Sequence, residues 1–166
     1  MSKILVGIMG PGAGASADDE RAAYALAQLI ARAGWVLVTG GRAAGVMDAA
    51  CKGAKAEGGL TVGILPTDDA HDMSAAVDIP IITGMGQARN NINVLSSVVG
   101  FACGMGAGTA AEIALAIKAG KQVIILCDAE AERAFFAELG KGQVHVVNTP
   151  DEAVTLAKQL ISDRWK

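Results

Sequence analysis

Short runs of consecutive apolar residues alternate along this chain with longer segments in which apolar residues recur every three or four positions. A continuous apolar run is typical of a strand buried on both faces, and the longer period is typical of a helix with one buried face. The predicted strands span residues 3–9, 35–39, 60–65, 78–84, 98–103, 123–127 and 143–147. The predicted helices lie between residue 18 and Gly34, at 46–57, at 87–95, between Thr109 and Gly120, at 129–139 and at 150–163.

The regular alternation of strands and helices predicts one α/β domain over residues 1–166. Strands that are apolar on both sides belong to a parallel sheet whose two faces are covered by helices. Because crossovers between parallel strands are right-handed, these elements build a doubly wound, Rossmann-like sheet. In that architecture every strand-to-helix turn lies at the carboxyl edge of the sheet.

Three of the strand-to-helix turns are rich in glycine, at residues 10–16, 40–45 and 104–109. Glycine lets the backbone adopt positive φ and lets a ligand approach the main chain closely. Each turn leads into a helix whose first N–H groups lack intrahelical acceptors and whose dipole is positive at that end. One such turn can be a plain connection, but three turns at one edge of a sheet indicate an anion- or nucleotide-binding site.

The spacing of these glycines does not match two common phosphate-binding motifs. Gly10, Gly12 and Gly14 give G-x-G-x-G instead of the full dinucleotide fingerprint, and no acidic residue follows the second predicted strand to bind a ribose. The Walker pattern G-x-x-x-x-G-K-[ST] is absent from the sequence. The two histidines, His71 and His145, offer no credible Ser-His-Asp arrangement.

The charge balance narrows the range of partners. The chain has 14 basic and 17 acidic residues, a formal net charge of −3, so it lacks the basic excess that binds nucleic acid or membrane surfaces. The sequence also shows no signal segment and no apolar run long enough to span a bilayer, so we expect no membrane partner. Charged residues make up 19% of the chain, against about a quarter in average proteins. This low content predicts that part of the surface is covered in a homo-oligomer.

The three cysteines, Cys51, Cys103 and Cys127, are odd in number and have no metal-like spacing. We expect them to be small packing residues in a protein of the reducing cytoplasm.

The segment at residues 67–76 concentrates possible metal ligands, namely Asp68, Asp69, His71 and Asp72. A metal cluster is one interpretation, and a solvated surface loop is the other. We favour the loop, because loops collect such residues and no second histidine lies nearby. The sequence therefore predicts no metal site.

Three segments together resemble the signatures of a known superfamily. They are Gly40 to Ala50, the triplet Ala88-Arg89-Asn90, and Gly106 to Glu112. These segments look like those of the SLOG superfamily, which includes the Lonely-guy cytokinin phosphoribohydrolases, and they are most similar to molybdenum cofactor carrier proteins. The resemblance implies a Rossmann-like fold, a homo-oligomer (a dimer or a tetramer) and a bound, anionic molybdopterin-type cofactor. It also implies a molybdenum enzyme as a recipient partner.

The chain departs from the pattern of the hydrolases in that superfamily. Their usual motif is Pro-Gly-Gly-x-Gly-Thr-x-x-Glu, and here Gly104 and Met105 replace the proline and the first glycine. Arg89 and Glu112 match the catalytic arginine and glutamate of those enzymes, whereas Asn90 occupies the position of their lysine. The resemblance therefore favours a carrier that performs no catalysis. A nucleoside 5′-monophosphate phosphoribohydrolase, with Arg89 and Glu112 as catalytic residues, is the alternative, and a nucleotide-sensing module is a third interpretation.

The expected cofactor-binding residues come from the glycine-rich turns and the matched motifs. They are Gly10, Gly12, Gly40, Gly41, Gly45, Arg89, Gly104, Gly106, Gly108, Thr109 and Glu112, with Arg42 and Ser16 as weaker candidates. The amides from Gly106 to Thr109 and the hydroxyl of Thr109 are expected to bind one anionic group. The turn at residues 40–45 is expected to bind the pterin or the other anionic end. Arg89 is expected to neutralise the charge as a fork-shaped donor.

Glu112 leaves several roles open. It could act as an acid or base on a glycosidic bond, bind pterin amines, pair with Arg89, or simply interact favourably with the helix dipole. We rank the binding or pairing role first.

Overall fold

A computed structural model describes residues 2–164 of the chain. Its strands are β1 (Leu5–Met9), β2 (Val36–Thr39), β3 (Thr61–Leu65), β4 (Ile79–Ile82), β5 (Val99–Cys103), β6 (Gln122–Leu126) and β7 (Val144–Val146). Its helices are α1 (Ala17–Arg32), α2 (Gly45–Ala56), α3 (Asn90–Ser96), α4 (Ala107–Lys118), α5 (Glu130–Leu139) and α6 (Pro150–Arg164), with a short 3-10 helix at Gly86–Arg89. The expected helix at 87–95 is therefore a 3-10 turn that continues into α3.

All seven strands form one parallel sheet in the order β4-β3-β2-β1-β5-β6-β7. The chain first builds outward from β1 to β4, then crosses back to place β5 against the other side of β1. The predicted doubly wound, Rossmann-like sheet is confirmed. The order reverses between β1 and β5, and ligands of such sheets bind in the crevice at the carboxyl ends of the two strands that flank this point.

Helices cover both faces of the sheet because successive strand side chains point to opposite faces. On one face, α1, α2 and α6 pack around Leu26, Phe101 and Ile124. On the other, α3, α4 and α5 pack around Ile113 and Ile125. Within residues 2–164, no helix is both long and apolar enough to cross a membrane.

The edge strand β4 is unlike the others because all four of its residues are exposed. Ile79, Ile81 and Ile82 leave 42–45% of their surface open to solvent. Parallel strands are normally buried on both faces, so this edge is an apolar surface that the single chain does not cover.

Candidate functional site

A cavity of about 340 Å³ opens where the carboxyl ends of β1 and β5 diverge. All three glycine-rich turns contribute to its lining, since they follow β1, β2 and β5. The 3-10 helix before α3 supplies the remaining wall. The fold thus brings together segments that are far apart in the sequence, in a volume suited to a small-molecule ligand.

Most of the residues expected at the site line this cavity. They are Gly10, Gly12, Gly40, Arg42, Arg89, Gly106, Gly108, Thr109 and Glu112.

Gly41, Gly45 and Gly104 lie outside the lining and shape the turns instead. Each has positive φ, at +75°, +50° and +73° respectively. A Cβ on Gly41 would lie 2.9 Å from the Cα of Gly63, and a Cβ on Gly104 would lie 2.5 Å from the carboxyl carbon of Asp19. These glycines are therefore required by local backbone conformation and close packing.

Ser16, one of the two weaker candidates, caps helix α1. Its hydroxyl accepts a hydrogen bond from the Asp19 backbone N–H at 3.1 Å, and the Asp19 carboxylate accepts one from the Ser16 N–H at 3.1 Å. This reciprocal capping box satisfies the amino end of α1 from within the chain.

The amino end of α4, by contrast, lies on the cavity with no side-chain cap. The first N–H groups of any helix lack intrahelical acceptors, and here no side chain replaces them. The helix dipole adds positive potential at this end. Thr109, in the first turn, is only 2% exposed, and its Oγ1 has no hydrogen-bond partner within residues 2–164. A buried hydroxyl without a partner is costly. Amides, dipole and hydroxyl together suit an anionic ligand group.

Arg89 is buried beside the cavity and incompletely paired. It is 7% exposed; its Nη1 donates to Oδ1 of Asn90, and its Nε has no partner in the described part of the chain. Burial lowers the pKa of Arg89, Arg42 lowers it further, and the negative charge of Glu112 acts in the opposite direction. The absence of a side chain at Gly40 leaves room for the guanidinium, since a Cβ there would lie 2.7 Å from Nη2. The arrangement leaves a buried cation that an anionic ligand would neutralise.

Glu112 lies in the second turn of α4 and is 8% exposed. Its Oε1 accepts a hydrogen bond from Nδ2 of Asn93 at 3.0 Å. Burial raises the pKa of Glu112, while this hydrogen bond and the charge of Arg89 lower it by less. Among the described residues, Glu112 makes no direct ion pair with Arg89, so the expected pairing is an attraction through space and not a contact.

Replacing Glu112 by glutamine should remove part of the pH dependence of stability. Because the folded-state pKa is raised above 4.5, Glu112 favours folding at low pH, and this contribution is lost as pH rises through the folded pKa. We expect the melting temperature of Glu112→Gln to exceed that of the wild type at pH 7–8, with the gap closing toward pH 4. Thermal unfolding of both proteins across that range measures it. A gap that widens on acidification would contradict the raised pKa.

The loop at residues 67–76 is predicted to be solvated, but Asp72 and Ser74 depart from that prediction. Ser74 is fully buried. Asp72 accepts a hydrogen bond from Nε of Arg42 at 2.9 Å, which holds Arg42 at the cavity. Asp69 pairs with His71, and both are exposed. Within residues 2–164, no group of three or more His, Cys, Asp or Glu side chains is placed to hold a metal ion.

Sequence reasoning missed several lining residues, among them Met47, Gln87 and Asn90. Met47 and Asn90 lie inside the segments that carried the family resemblance, so their place in those motifs was an available signal. Gln87 had no signal beyond its position two residues before Arg89.

The chain resembles known proteins over nearly its whole length. The family model described as the SLOG cluster4 family matches residues 3–154. The structure of the molybdenum cofactor binding protein from the phototrophic bacterium Rippkaea orientalis superposes with a TM-score of 0.95 at 52% identity, covering 97% of this chain and 99% of that one. The Moco Carrier Protein of Chlamydomonas reinhardtii superposes with a TM-score of 0.91 at 49% identity, covering 98% and 99%.

The chain also has a relative of similar sequence. An uncharacterized protein of Archaeoglobus fulgidus is 46% identical over 130 residues, which span 76% of this chain and 82% of that protein. Since the family model covers nearly the whole chain, this protein belongs to the SLOG cluster4 family.

Proposed function

We propose that this protein binds molybdenum cofactor in the cavity between β1 and β5 and carries it without catalysis. Molybdenum cofactor is a pterin with a dithiolene, an oxo-metal and a terminal phosphate, so it is anionic and readily oxidised. A carrier for it needs donors for the anion and a partly enclosed site. The relatives from Rippkaea orientalis and Chlamydomonas reinhardtii, whose names state molybdenum cofactor binding or carriage, support this ligand.

One observation carries the proposal: the cavity holds buried donors with no partner in the described part of the chain. The Nε of Arg89 and the hydroxyl of Thr109 are both in this state, beside the uncapped end of α4. Unpaired buried donors are rare in native proteins, and an anionic ligand group would satisfy them together. Gly10, Gly12 and Gly40 line the cavity and present their main chain to a ligand there.

The test is to purify the protein anaerobically from cells that make the cofactor, measure retained molybdenum, and transfer the retained cofactor to a cofactor-free molybdenum enzyme. We expect molybdenum to co-purify and the recipient enzyme to gain activity. Incubation with AMP and cytokinin monophosphates is expected to release no free base. If no cofactor is retained and none binds when it is supplied, the carrier function is wrong. Release of base at a rate that falls in Arg89→Ala would instead support the hydrolase.

We further propose that the protein is a homo-oligomer, a dimer or a tetramer, in which a second copy covers strand β4. The support is the exposed apolar edge formed by Ile79, Ile81 and Ile82, since unpaired apolar edge strands are otherwise protected. Replacing Ile81 by lysine should shift the protein toward the monomer in light-scattering measurements. Phe135→Lys is the matched control, because Phe135 is a 61% exposed apolar residue on α5. If only the Phe135 variant dissociates, β4 is not the interface.

We place the protein in the cytoplasm. Cys51, Cys103 and Cys127 are free thiols. Burial raises the pKa of Cys51 to about 11 and that of Cys103 to about 12, so these two thiols are protonated and unreactive at neutral pH. Fractionation of the producing cells, with immunodetection of the protein, tests the location.

A further inference from the structure

The loop between β3 and β4 is hydrogen-bonded through its main chain to the turn that follows β2. The backbone N–H of Ala43 donates to the carbonyl oxygen of Asp72 at 2.8 Å, and the N–H of Ser74 donates to the carbonyl oxygen of Gly41 at 2.9 Å. Arg42 and Met73 form an antiparallel bridge between these contacts. The loop therefore reaches the cavity wall through its main chain, and the position of Asp72 is fixed independently of its side chain.

The side chain of Asp72 then binds one edge of Arg42. Nε of Arg42 donates to Oδ2 of Asp72 at 2.9 Å, while neither Nη atom of Arg42 has a partner within residues 2–164. Arg42 lines the cavity, and its positive charge lowers the pKa of Arg89. A guanidinium held through Nε still has both Nη groups free to donate to an oxyanion.

We propose that Asp72 is a positioning residue that holds Arg42 so that its Nη groups meet the anionic ligand at the cavity mouth. The inference rests on the proposed function, because the ligand is the anionic cofactor of the same cavity. Arginine has a long side chain that loses considerable rotamer freedom when it is fixed. By fixing it before the ligand arrives, Asp72 reduces the entropy lost on binding.

Asp72 has two opposing effects on the affinity for the ligand. The direction in which the affinity changes when Asp72 is made neutral distinguishes positioning of Arg42 from charge repulsion. A carboxylate near an anion site repels the ligand, so charge alone predicts tighter binding when Asp72 becomes neutral. Positioning predicts weaker binding, because the neutral amide oxygen of asparagine accepts a weaker hydrogen bond from Nε and holds Arg42 less firmly. We expect positioning to win, since the charge of Asp72 is already paired with that of Arg42.

The experiment measures binding of isolated molybdenum cofactor by anaerobic equilibrium dialysis with molybdenum analysis. Asp72→Asn should weaken binding about fivefold. The matched control is Asp69→Asn, which removes the same charge from the same loop at an exposed residue that contacts His71 and not Arg42, and it should change binding less than twofold. In the Arg42→Ala background, Asp72→Asn should cause no further loss. Unchanged or tighter binding by Asp72→Asn, or an equal loss in both backgrounds, would overturn the proposal.

Two further measurements keep the result interpretable. If Asp72→Asn unfolds, Arg42→Lys is measured instead, because lysine cannot offer one nitrogen to Asp72 and two to the ligand. Arg42→Lys should weaken binding to a similar degree. Unchanged binding by this variant overturns the proposal. If the wild type does not bind the cofactor, the proposed function fails, and the same variants are titrated with inorganic pyrophosphate, which still reports whether Asp72 acts through Arg42. A wild type that binds neither probe overturns both.

Discussion

Replacing Arg89 by alanine is expected to reduce the affinity for molybdenum cofactor by about 100-fold. The guanidinium is only 7% exposed, so little solvent screens its charge, and its Nε is unpaired among residues 2–164. Truncating one partner of a buried, hydrogen-bonded charge pair costs about 2–5 kcal/mol, and each 1.4 kcal/mol or so is a factor of ten. Equilibrium dialysis of both proteins with the cofactor measures the change.

Replacing Arg89 by methionine should leave the cofactor-free protein at least as stable as the wild type. Burial lowers the pKa of Arg89, which means that its charge is held at a cost when no ligand is present. We therefore expect Arg89→Met, which keeps much of the side-chain volume, to match or exceed the wild type in denaturant unfolding. Arg89→Lys is the control that keeps the positive charge but loses the planar guanidinium, and it should still bind the cofactor weakly. A methionine variant that binds the cofactor normally would contradict the role given to Arg89.

Gly10→Ala is expected to destabilise the fold. A Cβ on Gly10 would overlap the carbonyl oxygen of Cys103 and lie 2.6 Å from Cγ1 of Val46. It would therefore push β5 and α2 away from the turn that follows β1, at the point where the strand order reverses. Overpacking of this kind costs about 1–3 kcal/mol, and we expect the upper end because backbone must move. Denaturant unfolding and cofactor binding should both be impaired.

Gly14→Ala is the matched control for that variant. Gly14 lies in the same turn, has no neighbouring atom within 4 Å of an added Cβ, and does not have positive φ. Alanine there should leave stability unchanged or raise it by about 0.4–1 kcal/mol, because it restricts the unfolded chain. If both variants lose stability equally, close approach at Gly10 is not the cause.

The pattern of apolar residues was sufficient to predict the sheet and its helices because the strands are short and apolar on both sides. The apolar run at β5, the glycines after it and the helical pattern of α4 predicted this strand-turn-helix unit directly. Residues within that unit, such as Gly106 and Thr109, need only local geometry to reach the cavity. Their placement therefore followed from secondary structure and from the rule that strand-to-helix turns share one edge.

Other parts of the site depend on contacts between distant segments, which periodicity does not encode. Asp72 was grouped with a solvated loop because nothing local shows that its main chain pairs with the turn at residues 40–45. Asn93 is 19 residues from Glu112, and their hydrogen bond depends on how α3 packs against α4. Gly41, Gly45 and Gly104 resemble ligand-binding glycines in sequence, and only their neighbours and φ values reveal their role in the backbone.

We propose that the unpaired donors around Arg89 and Thr109 bind the cofactor at the crevice between β1 and β5. An anaerobic crystal structure of the loaded protein, with molybdenum located by anomalous scattering, tests it most directly. We expect the metal inside the cavity and an anionic group of the ligand within hydrogen-bond distance of the first α4 amides, with Arg89 beside the ligand. Molybdenum bound on another face, with the cavity filled only by water, would contradict it.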